Sequence, residues 1–436
     1  MTITLERALR RDTGPVPTLA PVGGPSPRRG SAERTALLAL TAAFIFQPIL
    51  RPAGPGNSSP VDIFTLAAII TAGIWATSGH HTLRAPYFFP WALMLAAGAA
   101  SGLVGLLPGT SLLALADDVL LFAWCTTVVN VLTAPRALRI ALAAWSWSGI
   151  FWAGLVICAW LGHITALEGL QAATGNRVLF TFGDPNYAST YWDATIFVVY
   201  AARTPAKRWM RCTGYVMLAW ALALTESNGG TLALAIGVFF LLLVRSYRKR
   251  GWTGVTATAL AVGLTVGGFF TAFPLNSIRQ WAATSNQPLL VNSIGRSAQS
   301  SAERSQLITE TKQLYGLSDG VLGLGPASTK PLLTLWLFPY ANEAHDDWLA
   351  LLVERGPVGL LGLVLLFGSA LSRAGPIIRR PLSARYAAVV PAPAGLVAAL
   401  LALSVNSFYE EILHFRFLWA LLGIVAVLGK DARRGR

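Results

Sequence analysis

The sequence predicts an all-α polytopic membrane protein of about twelve transmembrane helices, with one large loop on the extracytoplasmic side. Three observations predict it. Of 436 residues, 54% are hydrophobic and only 12% are Asp, Glu, Lys or Arg, about half the charge of a soluble domain. Mean hydropathy is +0.55. Apolar runs also recur at lengths near the ~20 residues a helix needs to cross the hydrocarbon.

The elements follow in order. Residues 1–34 are polar and Pro/Arg-rich, with no apolar h-region, and read as a disordered cytoplasmic tail rather than a cleaved signal. Residues 35–273 hold nine spans, near 35–50, 61–78, 87–107, 111–131, 137–161, 187–202, 212–226, 229–244 and 252–273. Residues 274–347 form the large loop, and its stretch "SSAERSQLITETKQLYG" places Leu307, Ile308 and Leu314 at helical spacing. That pattern predicts an amphipathic helix on the outer membrane surface. Residues 348–429 hold the last three spans, near 348–371, 386–406 and 417–429, and 430–436 are a cytoplasmic tail.

Charge orients this plan. With both termini cytoplasmic, 25 of the 34 Lys and Arg residues fall on the inner side and nine on the outer side, as the positive-inside rule requires. The net charge of +14 is then a topology signal and a complement to anionic membrane lipids. No basic stretch is interleaved with aromatics in a soluble domain, which excludes nucleic acid as a partner. Cys125, Cys158 and Cys212 lie in or beside apolar runs and form no disulfide framework or metal spacing. No Walker or dinucleotide loop is present.

Polar residues gather where outer loops enter spans. "NEAHDDWLALLVERGPVGLLGL" (342–363) places Glu343, His345, Asp346, Asp347, Glu354 and Arg355 at the mouth of an apolar run. His345 is a base with acidic neighbours, or an interfacial His beside a helix capped by Asn342 or Asp346. The outer arginines Arg177, Arg296, Arg304 and Arg416 are planar forks suited to phosphate oxygens; solvent exposure or ion pairing, for example Arg304 with Glu303 or Glu310, is the other reading. Asp184, Pro185 and Asn186 form a turn with capping chemistry, and Glu226, Ser227 and Asn228 occupy a tight turn that borders a polar cavity or serves only to reverse the chain. Glu410 and His414, four apart on one helical face, are two metal-ligand types without a third, or part of an interfacial polar belt. Asp117, Asp118 and Asp193 fall inside predicted spans, where a carboxylate costs about 2.5–3.5 kcal/mol and invites a functional reading.

"FTFGDPNYASTY" (180–191), "ANEAHDDWLALLVERGPVGLLGL" (341–363) and the twelve-span plan together resemble the O-antigen ligase and O-antigen polymerase superfamily. The family pattern of an outer loop ending in His-Asn or His-Asp, then Glu-x-Gly and a further Gly, reads here as His345, Asp346, Glu354, Gly356 and Gly359. "ITETKQLYGLSDGVLGLGP" is similar to the family's helix and Gly-x-Gly before the His. The resemblance covers roughly residues 60–430. It implies a GT-C-like membrane glycosyltransferase without metal or cofactor in the plasma (inner) membrane. Such an enzyme takes a glycan from an undecaprenyl-diphosphate carrier and passes it to a glycan, lipid or protein acceptor. It implies His345 as general base or acceptor-orienting residue, with Asp346 and Glu354 in the catalytic motif, and Arg177, Arg304 and, less closely, Arg296 on the diphosphate; Arg416 joins them as a further outer arginine. Asp184, Asn186 and Asn228 support the site. Asn228 stands where many members carry arginine, which removes one phosphate contact. A polymerase of the same superfamily, a glycan or lipid transporter and a non-catalytic scaffold are the competing readings.

Overall fold

In the computed structural model, residues 30–52, 54, 58–79, 81–168, 177–318 and 320–434 are described. Most of the expected N-terminal tail (residues 1–29) and part of the outer loop over 162–186 (residues 169–176) lie outside them. The described residues form helices and connecting loops with no strand: α1 (Ser31–Phe46), α2 (Pro60–Ser78), α3 (Phe88–Val104), α4 (Pro108–Val131), α5 (Pro135–Leu161), α6 (Pro185–Ala202), α7 (Arg208–Leu224), α8 (Asn228–Ala272), α9 (Ser297–Gly316), α10 (Asp347–Arg379), α11 (Ala394–Asn406) and α12 (Arg416–Arg434), with shorter helical turns between. Five of them, α2, α4, α5, α8 and α10, are long and apolar enough to cross a membrane. The protein is therefore a multi-pass membrane protein.

The spans expected at 229–244 and 252–273 are the two arms of α8. The chain reverses at Gly251, whose φ of 63° is open to a residue without a side chain. The arms come together, since the Ser246 and Thr258 hydroxyls lie 2.7 Å apart. In a straight helix twelve residues advance about 18 Å. The expected span 386–406 begins later, because Pro391 and Pro393 hold the chain out of a helix until Ala394. Helices reach into both predicted tails: α1 starts at Ser31 and α12 continues to Arg434.

Between lipid-embedded helices, packing and buried hydrogen bonds replace the hydrophobic effect. The run of residues from Phe417 to Gly429 in α12 is buried on every side, so this helix is the axis of the bundle. Its neighbours are tied to it by buried donors: Trp124 Nε1 on α4 donates to the Arg416 carbonyl at 3.0 Å, and the Tyr87 hydroxyl donates to the Leu422 carbonyl at 3.0 Å. Leu38, Ile63 and Leu264, at 70%, 70% and 75% exposure, show the outward apolar face.

The loops expected outside meet at one end. Leu50 N bonds to Thr181 O, Val178 N to Leu224 O, and Asp347 N to Ser407 O. At the other end Asn130 holds Arg84, and Asp431 holds Ser383. The helix expected over "SSAERSQLITETKQLYG" is α9. Its buried residues are Leu307 and Leu314 together with Glu310 and Thr311. Leu314 packs on Leu332, Leu333 and Val353, so this stripe faces protein.

Candidate active site

The site is built on the start of α10. Asp346 is its N-cap, accepting from Trp348 N at 2.8 Å and Leu349 N at 3.1 Å. This satisfies donors that a helix start leaves open, so the Asp346 carboxylate is committed to the helix. Asp347 is buried and accepts from Ile412 N at 3.1 Å and Leu413 N at 3.3 Å, which pins the 407–415 loop beside α10. The helix then breaks at Gly356, with φ 65°, and the freed carbonyls of Val353 and Glu354 accept from Leu324 N and Gly325 N, each at 2.9 Å. Glu354 completes the junction. Its carboxyl takes Ala327 N at 2.8 Å and the Thr329 hydroxyl at 2.8 Å. The Glu-x-Gly step thus anchors the Gly-x-Gly segment to α10, and Glu354 stands as a positioning residue.

His345 stands just before the cap with φ 48°, a left-handed conformation that costs a non-glycine residue about 1–3 kcal/mol. The turn directs its ring at the 407–415 loop. Nδ1 lies 2.9 Å from Glu410 Oε2, and Nε2 lies 3.3 Å from Asn342 Nδ2. The Asn342 amide is oriented by Glu343 N donating to its Oδ1 at 2.9 Å, so its NH2 group faces His345. In the neutral ring Nδ1–H therefore points at the carboxylate, and Nε2 is the acceptor. Burial alone would push this imidazole down, but Glu410, through its charge and its hydrogen bond, lifts it to about 9. Glu410 is itself pushed up by burial, with His345 pulling it back. The other Glu410 oxygen lies 3.6 Å from Arg304, whose guanidinium also sits 5.3 Å over the Tyr409 ring. Arg304 pairs with neither Glu303 nor Glu310. Glu310 instead accepts from Tyr340 N and Ala341 N. Tyr187 donates to Glu343 at 2.9 Å, tying α6 to the same segment.

Arg177 is held by two partners, Thr225 O and Asn186 Oδ1, both at 2.9 Å. Asn186 also accepts from the Ser227 hydroxyl at 2.8 Å, while Asp184 caps α6 through Asn186 N at 2.7 Å. The supporting turn is thus a scaffold for Arg177. Burial, then the charge of Arg296, hold the Arg177 guanidinium below its ordinary value, with Asp184, Glu226 and Glu410 acting the other way. Those groups therefore share one electrostatic field. Glu226, at φ 51°, is pushed up to about 7, by burial first. Asn228 donates to Ser293 O at 3.1 Å and Asn292 to Glu226 at 3.4 Å, which fastens the segment before α9 over this turn. Arg296 lies in that segment, its Nε bonded to Asn292 O at 3.1 Å.

Arg416 is placed elsewhere. Its fork grips Asp62 at 2.7 and 2.6 Å and reaches Asp117 at 3.3 Å, inside the bundle at 3% exposure. Glu410 bonds to His345 rather than sharing a ligand with His414, and among the described residues no group of three His, Cys, Asp or Glu is set to hold a metal. Asp118 pairs with Arg355 at 2.7 Å. Sequence reasoning missed Glu410 as the partner of His345; the "YEE" run at the foot of a span was the available signal.

Fold and site together define a multi-pass membrane protein whose polar chemistry collects at one end of an apolar bundle. Residues 213–364 match the family model described as Wzy_C, O-antigen ligase. The match takes in His345 and the first half of α10, and supports the O-antigen ligase and polymerase superfamily. No curated protein matches the chain.

Proposed function

We propose that the protein is a plasma-membrane glycosyltransferase that moves a glycan from an undecaprenyl-diphosphate carrier to an acceptor hydroxyl at the extracytoplasmic face, with both termini cytoplasmic. The observation that carries this reading is the hydrogen bond between His345 Nδ1 and Glu410, which leaves Nε2 as the base face. The acceptor O–H gives its proton to Nε2 as its oxygen bonds to the anomeric carbon; the bond from that carbon to the diphosphate breaks, and the diphosphate leaves with the electron pair. Arg304, Arg296 and Arg177 supply positive charge for that leaving group. Arg304 links the two halves, since it contacts the carboxylate that orients the base. Arg416, held by Asp62 and Asp117, supports the bundle. No metal or cofactor is needed for these steps.

Ligase and polymerase use the same donor and differ in the acceptor. Purified protein in lipid vesicles with an undecaprenyl-diphosphate oligosaccharide separates them. A ladder of lengths without added acceptor indicates a polymerase, and one discrete shift that requires an added acceptor indicates a ligase. Uptake of glycan without release of undecaprenyl diphosphate would replace both with a transporter, and neither uptake nor product would leave a scaffold.

A further inference from the structure

A cavity of about 460 Å³ opens on the far end of the His345 segment, where Glu343 forms part of its wall. None of Arg177, Arg296 or Arg304 lines it. Six carboxyl groups do, from α4, α10 and two loops, against two permanent cations, Lys330 and Arg355. Four of the six are already engaged: Asp117 by Arg416, Asp118 by Arg355, Asp347 by two backbone N–H groups and Glu354 by Ala327 and Thr329. The other two are open. Glu343 uses one oxygen on Tyr187, and Glu411 makes no hydrogen bond or ion pair with any described residue. His414 lines the same wall, and its Nε2 is buried with no hydrogen-bond partner among the described residues. Burial holds that imidazole down at about 4, so it is neutral. Burial, reinforced by Glu343, holds the Glu411 carboxyl well above its usual range.

The cavity is of a size that encloses a small ligand. Unengaged carboxyl oxygens are partners for hydroxyl and ammonium donors, and the neutral His414 beside them adds no positive charge. An acidic group would meet carboxyls on most sides; the one guanidinium there is already paired with Asp118, and the single remaining cation, Lys330, faces the two open carboxyls, Glu343 and Glu411. We infer that this cavity is the acceptor site, and that it takes a polyhydroxy chain end that is neutral or amine-bearing and rejects one bearing carboxylate or phosphate. The inference rests on the glycosyl-transfer reading, and it divides the site into an arginine side for the donor and a carboxyl side for the acceptor, with His345 between them.

The test is binding of three tetrasaccharide probes to the full chain in lipid nanodiscs: tetraglucosamine, cellotetraose and tetragalacturonate. The first two are expected to bind, and tetragalacturonate about tenfold or more weaker. Glu411→Gln is expected to weaken tetraglucosamine about fivefold or more, because it removes the carboxyl that a bound ammonium draws into its charged form. Leu113→Trp, which fills the cavity wall from the exposed side of α4, is expected to abolish binding of both; the melting temperature of each variant reports folding. Tetragalacturonate binding as tightly as the others, no binding by any probe, or tetraglucosamine binding untouched by either variant would overturn the inference. Failure of the glycosyl-transfer reading shows separately, as a wild-type protein that releases no undecaprenyl diphosphate from a lipid-linked donor.

Discussion

His345 and Glu410 are 65 residues apart in the chain and 2.9 Å apart in space. That contact raises the proton affinity of the imidazole to about 9, so the free base is the minor form at neutral pH. Transfer is expected to rise about tenfold per pH unit up to about pH 9 and then level. Glu410→Gln removes the charge and should move the limb toward the ordinary histidine value of about 6.5. Initial rates between pH 6 and 10 check both. A rate that falls above pH 9 would show the imidazolium to be the working form.

The same shift bears on stability. A His whose folded affinity is raised adds stability that is fully present below about pH 6.5 and is lost as pH rises through about 9. The melting temperature of the wild type should therefore drop across that window. His345→Gln should start lower and show a smaller drop, as thermal unfolding in detergent would record.

The arginines separate by partner. Arg304 is 30% exposed at its side chain and keeps donors free beyond Glu410. Arg304→Ala should raise the donor KM about 10- to 100-fold, the worth of one charged hydrogen bond of ~1.5–3 kcal/mol, with little change in melting. Arg416→Ala should do the reverse. It leaves Asp62 and Asp117 without their cation, at a cost of about 3–5 kcal/mol, and should appear as lost folding rather than as a donor effect.

Gly356→Ala should destabilise the protein. The position has φ 65°, and a methyl group there would run into the Val321 carbonyl. Gly263→Ala, in the open second arm of α8 with nothing nearby, should be neutral or stabilising by up to about 1 kcal/mol. Equal loss in both would remove the kink from the account.

How much of this was legible in the sequence depended on range. The cap at Asp346, the turn at Asp184 and the break at Gly356 are local, and their residue types announce them. His345 stood out for the same reason. Its partner did not, because the neighbours Asp346 and Asp347 were the nearer acids, yet both are spent on backbone N–H groups. Arg416 looked like an outer arginine because its acids, Asp62 and Asp117, lie 354 and 299 residues away. Glu354 read as chemistry because the family motif it resembles carries a Glu after the histidine; only the fold shows Ala327 and Thr329 filling its oxygens. The stripe on α9 was periodic as expected, but periodicity does not say whether lipid or protein covers it.

The central claim is that His345 carries the transfer. The most direct measurement is release of undecaprenyl diphosphate, with glycan product, by purified wild type and His345→Ala side by side in the same vesicles with the same lipid-linked oligosaccharide. The account predicts product from the wild type and a loss of about 100-fold or more in the variant, with both proteins folded and inserted. Equal rates from the two would contradict it.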